Sequence, residues 1–117
     1  MNSTGKAALT FDTYQRAAQR TSSEMAWDRK VRNGAMGMAG EAGETIDIVK
    51  KWEFQGHALD KDKLIDEAGD CLWYIAQLAE GLGVTLEEVA QRNVDKLWRR
   101  YPAGFDSVRS VNREANE

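Results

Sequence analysis

The sequence predicts an all-α fold, and three observations carry that expectation. Apolar residues recur at three- and four-residue spacing, and no segment alternates with period two over strand length. Capping residues and breakers divide the chain into four helical segments: Thr10 or Asp12, Asp60 and Thr85 stand at starts, and Gly56, Gly83 and Pro102 at ends. Two of the segments carry near copies of one acidic motif, Gly40-Glu41-Ala42-Gly43-Glu44 and Asp66-Glu67-Ala68-Gly69-Asp70. A chain of 117 residues is one domain by size, so a compact four-helix bundle is expected.

Residues 1–9 are small and polar and are expected to be flexible. The first helix should run to about Thr21, with Phe11, Tyr14, Ala17, Ala18 and Thr21 as its apolar stripe. Ser22 to Gly34 reads as a loop or frayed turn, being framed by Ser22-Ser23 and Asn33-Gly34. The second helix is expected over Ala35–Phe54. At about 100° per residue, Ala35, Met38, Ala39, Ala42, Ile46 and Val49 form a core stripe. Glu41, Glu44, Ile48 and Trp52 occupy the sector beside it. Gly56 suits the position just past the helix end.

Asp60 can cap a third helix over Lys61–Leu82, whose stripe is Leu64, Ile65, Ala68, Leu72, Ile75, Ala79 and Leu82. Glu67, Asp70, Tyr74 and Leu78 fill the adjoining sector. Gly43 and Gly69 match in position. Each lowers helix propensity by about 1 kcal/mol relative to Ala, which close approach of a helix or a ligand would offset. Gly81 and Gly83 break the chain. Thr85-Leu86-Glu87-Glu88 is a capping box, with Val84 able to staple to Val89. It opens a fourth helix that reaches about Tyr101, where Pro102 and Gly104 stop it. Residues 106–117 read as a polar tail, and 10–105 as the domain proper.

The acidic motifs carry the chemistry. Positions i and i+3 share a helix face, so two adjacent helices would aim Glu41, Glu44, Glu67 and Asp70 at one volume. Four carboxylates repel one another unless a cation sits among them. Mg²⁺, or alternatively Mn²⁺, is the hard, oxygen-seeking cation that suits them. The plain alternative is a pair of solvated faces, with ion pairs to Lys50, Lys51, Lys61 or Lys63. On the fourth helix Asn93, Lys96 and Arg100 share a side, as a polyphosphate requires. Cations there also suit the helix C-terminus.

The remaining composition sets bounds. A net charge of −3 argues against a nucleic-acid polymer as partner. The single cysteine, Cys71, permits no intrachain disulfide and fits a cytoplasmic setting. No apolar run approaches the ~20 residues of a membrane span, and Met1 to Thr10 lacks the apolar core of a signal peptide. Cys71 reads as a packed small hydrophobe, and His57 as a surface residue. Trp52, Trp73 and Trp98 are more aromatic surface than a thin bundle hides, so a homodimer or a dimer of dimers is expected.

Glu41-x-x-Glu44, a gap of 22 residues, then Glu67-x-x-Asp70 resembles the E-x-x-E…E-x-x-D signature of the MazG-like all-α nucleoside triphosphate pyrophosphohydrolases. The segment from Asn93 through Lys96, Leu97, Arg100, Tyr101, Pro102 and Gly104 to Phe105 is similar to the closing motif of compact phage-type and bacterial members. The resemblance spans residues 10 to 105. Gly40 departs from it, standing where many members carry a further Glu. The resemblance implies Mg²⁺-dependent cleavage of a nucleoside triphosphate between the α- and β-phosphates, giving a monophosphate and pyrophosphate. It also implies an oligomer.

The residue types agree. No Ser/His/Asp or Cys/His set is evident, which leaves water as the nucleophile and metal ions to activate it. Either Glu41 or Glu44 would position or deprotonate that water. Tyr74, one turn past Asp70, is the candidate for contact with base or sugar, a place where members of the family often carry an aromatic. A di-iron bundle would need E-x-x-H motifs, which the chain lacks. A helical interaction module that binds cations without turnover is the non-enzymatic alternative.

Overall fold

The computed structural model describes residues 8–116. The expected flexible stretch 1–9 therefore lies, for residues 1–7, outside the described residues, as does the last residue of the polar tail. Thr10 is extended, and its hydroxyl accepts from the Thr13 amide at 3.1 Å while the Thr13 hydroxyl accepts from the Thr10 amide at 2.7 Å. This reciprocal cap opens α1, Phe11–Gln19. The second helix, α2, is Trp27–Phe54 and ends at Gly56, whose φ of 73° needs no Cβ. Asp60 caps α3, Lys61–Leu82, by accepting from the Lys63 amide at 3.0 Å. Gly83, at φ 72°, closes it. The fourth helix, α4, is Leu86–Arg100. Among the described residues there is no strand.

Within the expected polar tail, Asp106 caps a short helix α5, Ser107–Val111, followed by a 3₁₀ turn over Arg113–Asn116. The Arg109 guanidinium donates to the carbonyls of Arg100, at 2.6 Å, and Arg99, at 3.3 Å. It thus satisfies acceptors that a helix end leaves open.

Two compact units divide the chain, the first ending at Leu86 and the second starting at Glu87. In the first, α2 and α3 run antiparallel along one another. Their seam is closest where it is made of glycine. A Cβ on Gly34 would lie 2.8 Å from the Leu78 amide nitrogen and 2.9 Å from the Tyr74 carbonyl oxygen. One on Gly81 would lie 2.9 Å from the Trp27 carbonyl oxygen. The seat of Gly37 is taken by the Tyr74 ring.

These contacts correct two expectations. The stretch expected as a loop from Ser22 to Gly34 is helical from Trp27 onward, with Asp28 and Arg32 paired one turn apart at 3.3 Å. Asn33-Gly34 resembles a turn, but Gly34 lies where the α3 backbone leaves no room for a Cβ. The expected core stripes are buried only in part: Ala79 is buried and Ile75 packs on the core, but Ile46 is 66% and Ile65 68% exposed, and Val49, Leu72 and Leu82 are exposed too. The seam is instead the adjoining sector, Gly34, Gly37, Glu41 and Ile48 on α2 against Glu67, Tyr74, Leu78 and Gly81 on α3. Small residues let the backbones meet there, and the bulky apolar side chains face outward. Gly43 and Gly69, expected at a close approach, have nothing within 4 Å of where a Cβ would stand.

Helix α1 packs on α3 chiefly through polar groups. Trp73 donates its indole N–H to the Ala18 carbonyl at 3.1 Å and to the Thr21 hydroxyl at 3.0 Å. Gln15 donates to the Glu80 carboxylate at 2.9 Å and to the Val84 carbonyl at 3.0 Å, and accepts from the Leu86 amide at 2.8 Å. A small core of Ala18, Ala76, Ala79 and Leu86 lies among these bonds, with Tyr14, Trp73, Ile75 and Val84 against it. Of the stripe expected on α1, Phe11 and Ala17 are exposed and Gln15 is buried in their stead.

Candidate metal centre

The antiparallel seam sets side chains in successive levels. Gly37 meets Tyr74, and Glu41 meets Glu67 and Asp70. Glu44 and Ile48 then share a cleft with Glu67 and Lys63. One carboxylate oxygen from each of Glu41, Glu67 and Asp70 lies within 4.8 Å of the others. Glu67 is only 8% exposed, Glu41 half-buried and Asp70 exposed. The three therefore form a row from the interior to the surface.

The electrostatics follow from that burial. The carboxyl of Glu41, sharing a hydrogen bond with Glu67, holds the Glu67 pKa above the ordinary range, and burial pushes the same way. A hydrogen bond with Glu44 partly offsets them. The charge also reaches α1, where burial first and Asp70 second push the Tyr14 phenol up. Oε2 of Glu41 and Oε2 of Glu67 are buried without a hydrogen-bond partner. Orphaned buried acceptors of this kind are costly unless a cation or donor meets them. The donor set is all carboxylate oxygen, which fits a hard divalent cation.

Of the predicted residues, Glu41, Glu67 and Asp70 come together, and Glu44 meets Glu67 from one turn further along α2. With Gly40, Gly43, Asp47, Ile48, Lys63 and Glu67 it lines an open cleft of about 530 Å³. Tyr74 lies one level the other way, half-buried on Gly37. Asn93, Lys96 and Arg100 lie on α4, with Lys96 and Arg100 half-buried and Asn93 exposed.

Ion pairing does not account for the motif carboxylates. Among the described residues none of the four forms a salt bridge, while Lys50 and Lys51 both pair with Asp47, at 3.6 and 3.0 Å. Lys63, weighed from the sequence only as an ion-pair partner, lines the cleft one turn before Glu67. It also lines a neighbouring cavity of about 160 Å³ with Lys51 and His57. The signal was its i,i+4 spacing to Glu67.

A two-helix seam holding a carboxylate row defines an all-α protein built around a cation-type acidic site. The family model for the MazG nucleotide pyrophosphohydrolase domain matches residues 32–105, and the chain belongs to that family. It is 44% identical over 82 residues to the gene 37 protein of Mycobacterium phage L5, covering 67% of this chain and 72% of that one. It is 36% identical over 70 residues to the uncharacterized protein YvdC of Bacillus subtilis (strain 168), covering 52% and 66% respectively. No solved structure matches the chain. Among the described residues no helix is long and apolar enough to cross a membrane.

Proposed function

We propose that the protein is a Mg²⁺-dependent hydrolase that cleaves nucleoside triphosphates, deoxy or ribo, between the α- and β-phosphates, releasing pyrophosphate. The observation that carries this reading is the carboxylate row at the α2–α3 seam, with its two orphaned oxygens, in a chain of the MazG family. Glu41, Glu44, Glu67 and Asp70 would hold the cation, with Mn²⁺ able to replace Mg²⁺. When bound, the ion supplies charge neutralisation at the phosphates and acidifies water. Glu41 or Glu44 orients the attacking water and takes its proton. Lys63 faces the same cleft and offers a charge-assisted hydrogen bond to a phosphate oxygen. Asn93, Lys96 and Arg100 supply further phosphate contacts, and Tyr74 meets the base or sugar. The protein works in the cytoplasm.

We further propose a homodimer or a dimer of dimers. The outward apolar side chains Ile46, Val49, Ile65 and Leu72 support this, because exposed apolar patches mark association surfaces.

The experiment is incubation of the protein with a panel of ribo- and deoxynucleoside triphosphates and Mg²⁺, following pyrophosphate and monophosphate. Wild type should release both in equal amounts. Glu67→Gln and Asp70→Asn should each lose more than about 100-fold in kcat/KM, since even partners of metal ligands are worth 10–100-fold. Both variants should keep their helical circular dichroism. Release of orthophosphate in place of pyrophosphate, or near-normal rates in both variants, overturns the assignment.

A further inference from the structure

Tyr74 has a single seat, and a glycine makes it. A Cβ on Gly37 would collide with Cγ, Cδ1 and Cε1 of the Tyr74 ring, so the ring lays its face against bare α2 backbone. Trp73 meets the ring in a T-shaped contact, with ring centroids 5.1 Å apart and planes at 88°. Trp73 is in turn fixed to α1 through the Ala18 carbonyl and the Thr21 hydroxyl. Gly37 precedes Glu41 by four residues and Tyr74 follows Asp70 by four. Ring and seat therefore both sit one helical turn from the carboxylate row. Gly34 and Gly81 differ from Gly37, because a Cβ on either would meet neighbouring backbone first.

We propose that Gly37 is a positioning residue for substrate selection: by lacking a side chain it seats the Tyr74 ring flat on α2 beside the carboxylate row, and so sets which nucleobases the enzyme accepts. This rests on the reading of Tyr74 as the group that meets base or sugar. Any side chain at position 37 lifts the ring from α2 and changes the space at that end of the row. The carboxylates are not displaced, so the effect falls on discrimination among nucleotides more than on the chemical step.

The test is kcat/KM for the four deoxynucleoside triphosphates with wild type, Gly37→Ala, Tyr74→Ala, the double variant and Gly34→Ala. Gly37→Ala should change the ratio between best and worst nucleotide by roughly tenfold, the scale on which small shape changes in a pocket act. The double variant should match Tyr74→Ala alone, because without the ring the seat has no function. Gly34→Ala, which presses on backbone, should lower stability while the order of preference stays. Unchanged ratios in Gly37→Ala, or an equal added shift in the Tyr74→Ala background, overturn the proposal. If Gly37→Ala does not fold, the double variant must fold and match Tyr74→Ala; its failure also overturns the proposal. A wild type that cleaves none of the four removes the functional reading and this inference with it, whereas an active wild type with unchanged ratios removes only the inference.

Discussion

At the scale of single residues, Glu67 ties folding to pH. Its neighbour Glu41 and its burial hold its pKa above the ordinary value. The folded chain therefore binds this proton more tightly than the unfolded chain, whose Glu titrates near about 4.3. The stability it contributes is complete below that pH and is lost as pH rises through the raised folded value. In chelator, the melting temperature should fall as pH climbs through that window, and Glu67→Gln should flatten the fall. With Mg²⁺ present the trend should reverse, since the ion competes with the proton and binds only the assembled site. Thermal melts in chelator and in Mg²⁺ across this pH range check both, and a metal-free profile that rises with pH contradicts the electrostatic account. Glu41, Glu67 and Asp70 were legible in the sequence because i,i+3 spacing is geometry that any helix obeys. The order of burial along the row was not, since it depends on how deep the seam lies. Lys63 carried a local signal in its i,i+4 spacing to Glu67, but the cleft the two share depends on how α2 packs on α3.

At the scale of elements, the sequence named the first four helices, missed the short α5 within the expected tail, and misplaced one boundary and one face. The caps at Thr10 and Asp60 and the stops at Gly56 and Gly83 are local hydrogen-bond and dihedral requirements, readable from a few neighbouring residues. Gly34 lost to tertiary contact: a glycine that breaks an isolated helix is what admits α3 here. The stripe of large apolar residues drew attention away from the seam because area alone ranks Ile46 and Ile65 above Gly37 and Glu41. The glycines make a paired prediction. Gly34→Ala should destabilise by about 1–3 kcal/mol, because the methyl group must displace backbone. Gly69→Ala meets nothing within 4 Å in the single chain and should gain up to about 1 kcal/mol of helix propensity. Denaturant melts of the two variants give the signs, and equal signs contradict this assignment of the seam.

For the whole molecule, the exposed apolar face should be covered by a second copy. Sedimentation or light scattering should find the wild type at twice or four times the 13.1 kDa chain mass. Ile65→Glu should shift it toward monomer, because burying an unpaired carboxylate in an apolar contact is strongly unfavourable. A wild type that is already monomeric removes the proposal. The all-α class was legible throughout, since helical periodicity is a property of each segment. The expected association was argued from the sequence only by an excess of aromatic surface, Trp52, Trp73 and Trp98, whereas the exposed aliphatic face of Ile46 and Ile65 came with the structure.

The placement of the acid row inside the seam, where most helical hairpins put leucine, also bears on how long a molecule lasts. With the proposed ion as guest, the two helices would be only as firmly closed as that ion is abundant. When divalent cations are scarce, mutual repulsion at the row favours parting of α2 from α3, and the turn between them, around Gly56, becomes a place for a protease to cut. The lifetime of the polypeptide is thus expected to follow the supply of the ion proposed for its chemistry, so that an idle copy is also a short-lived one.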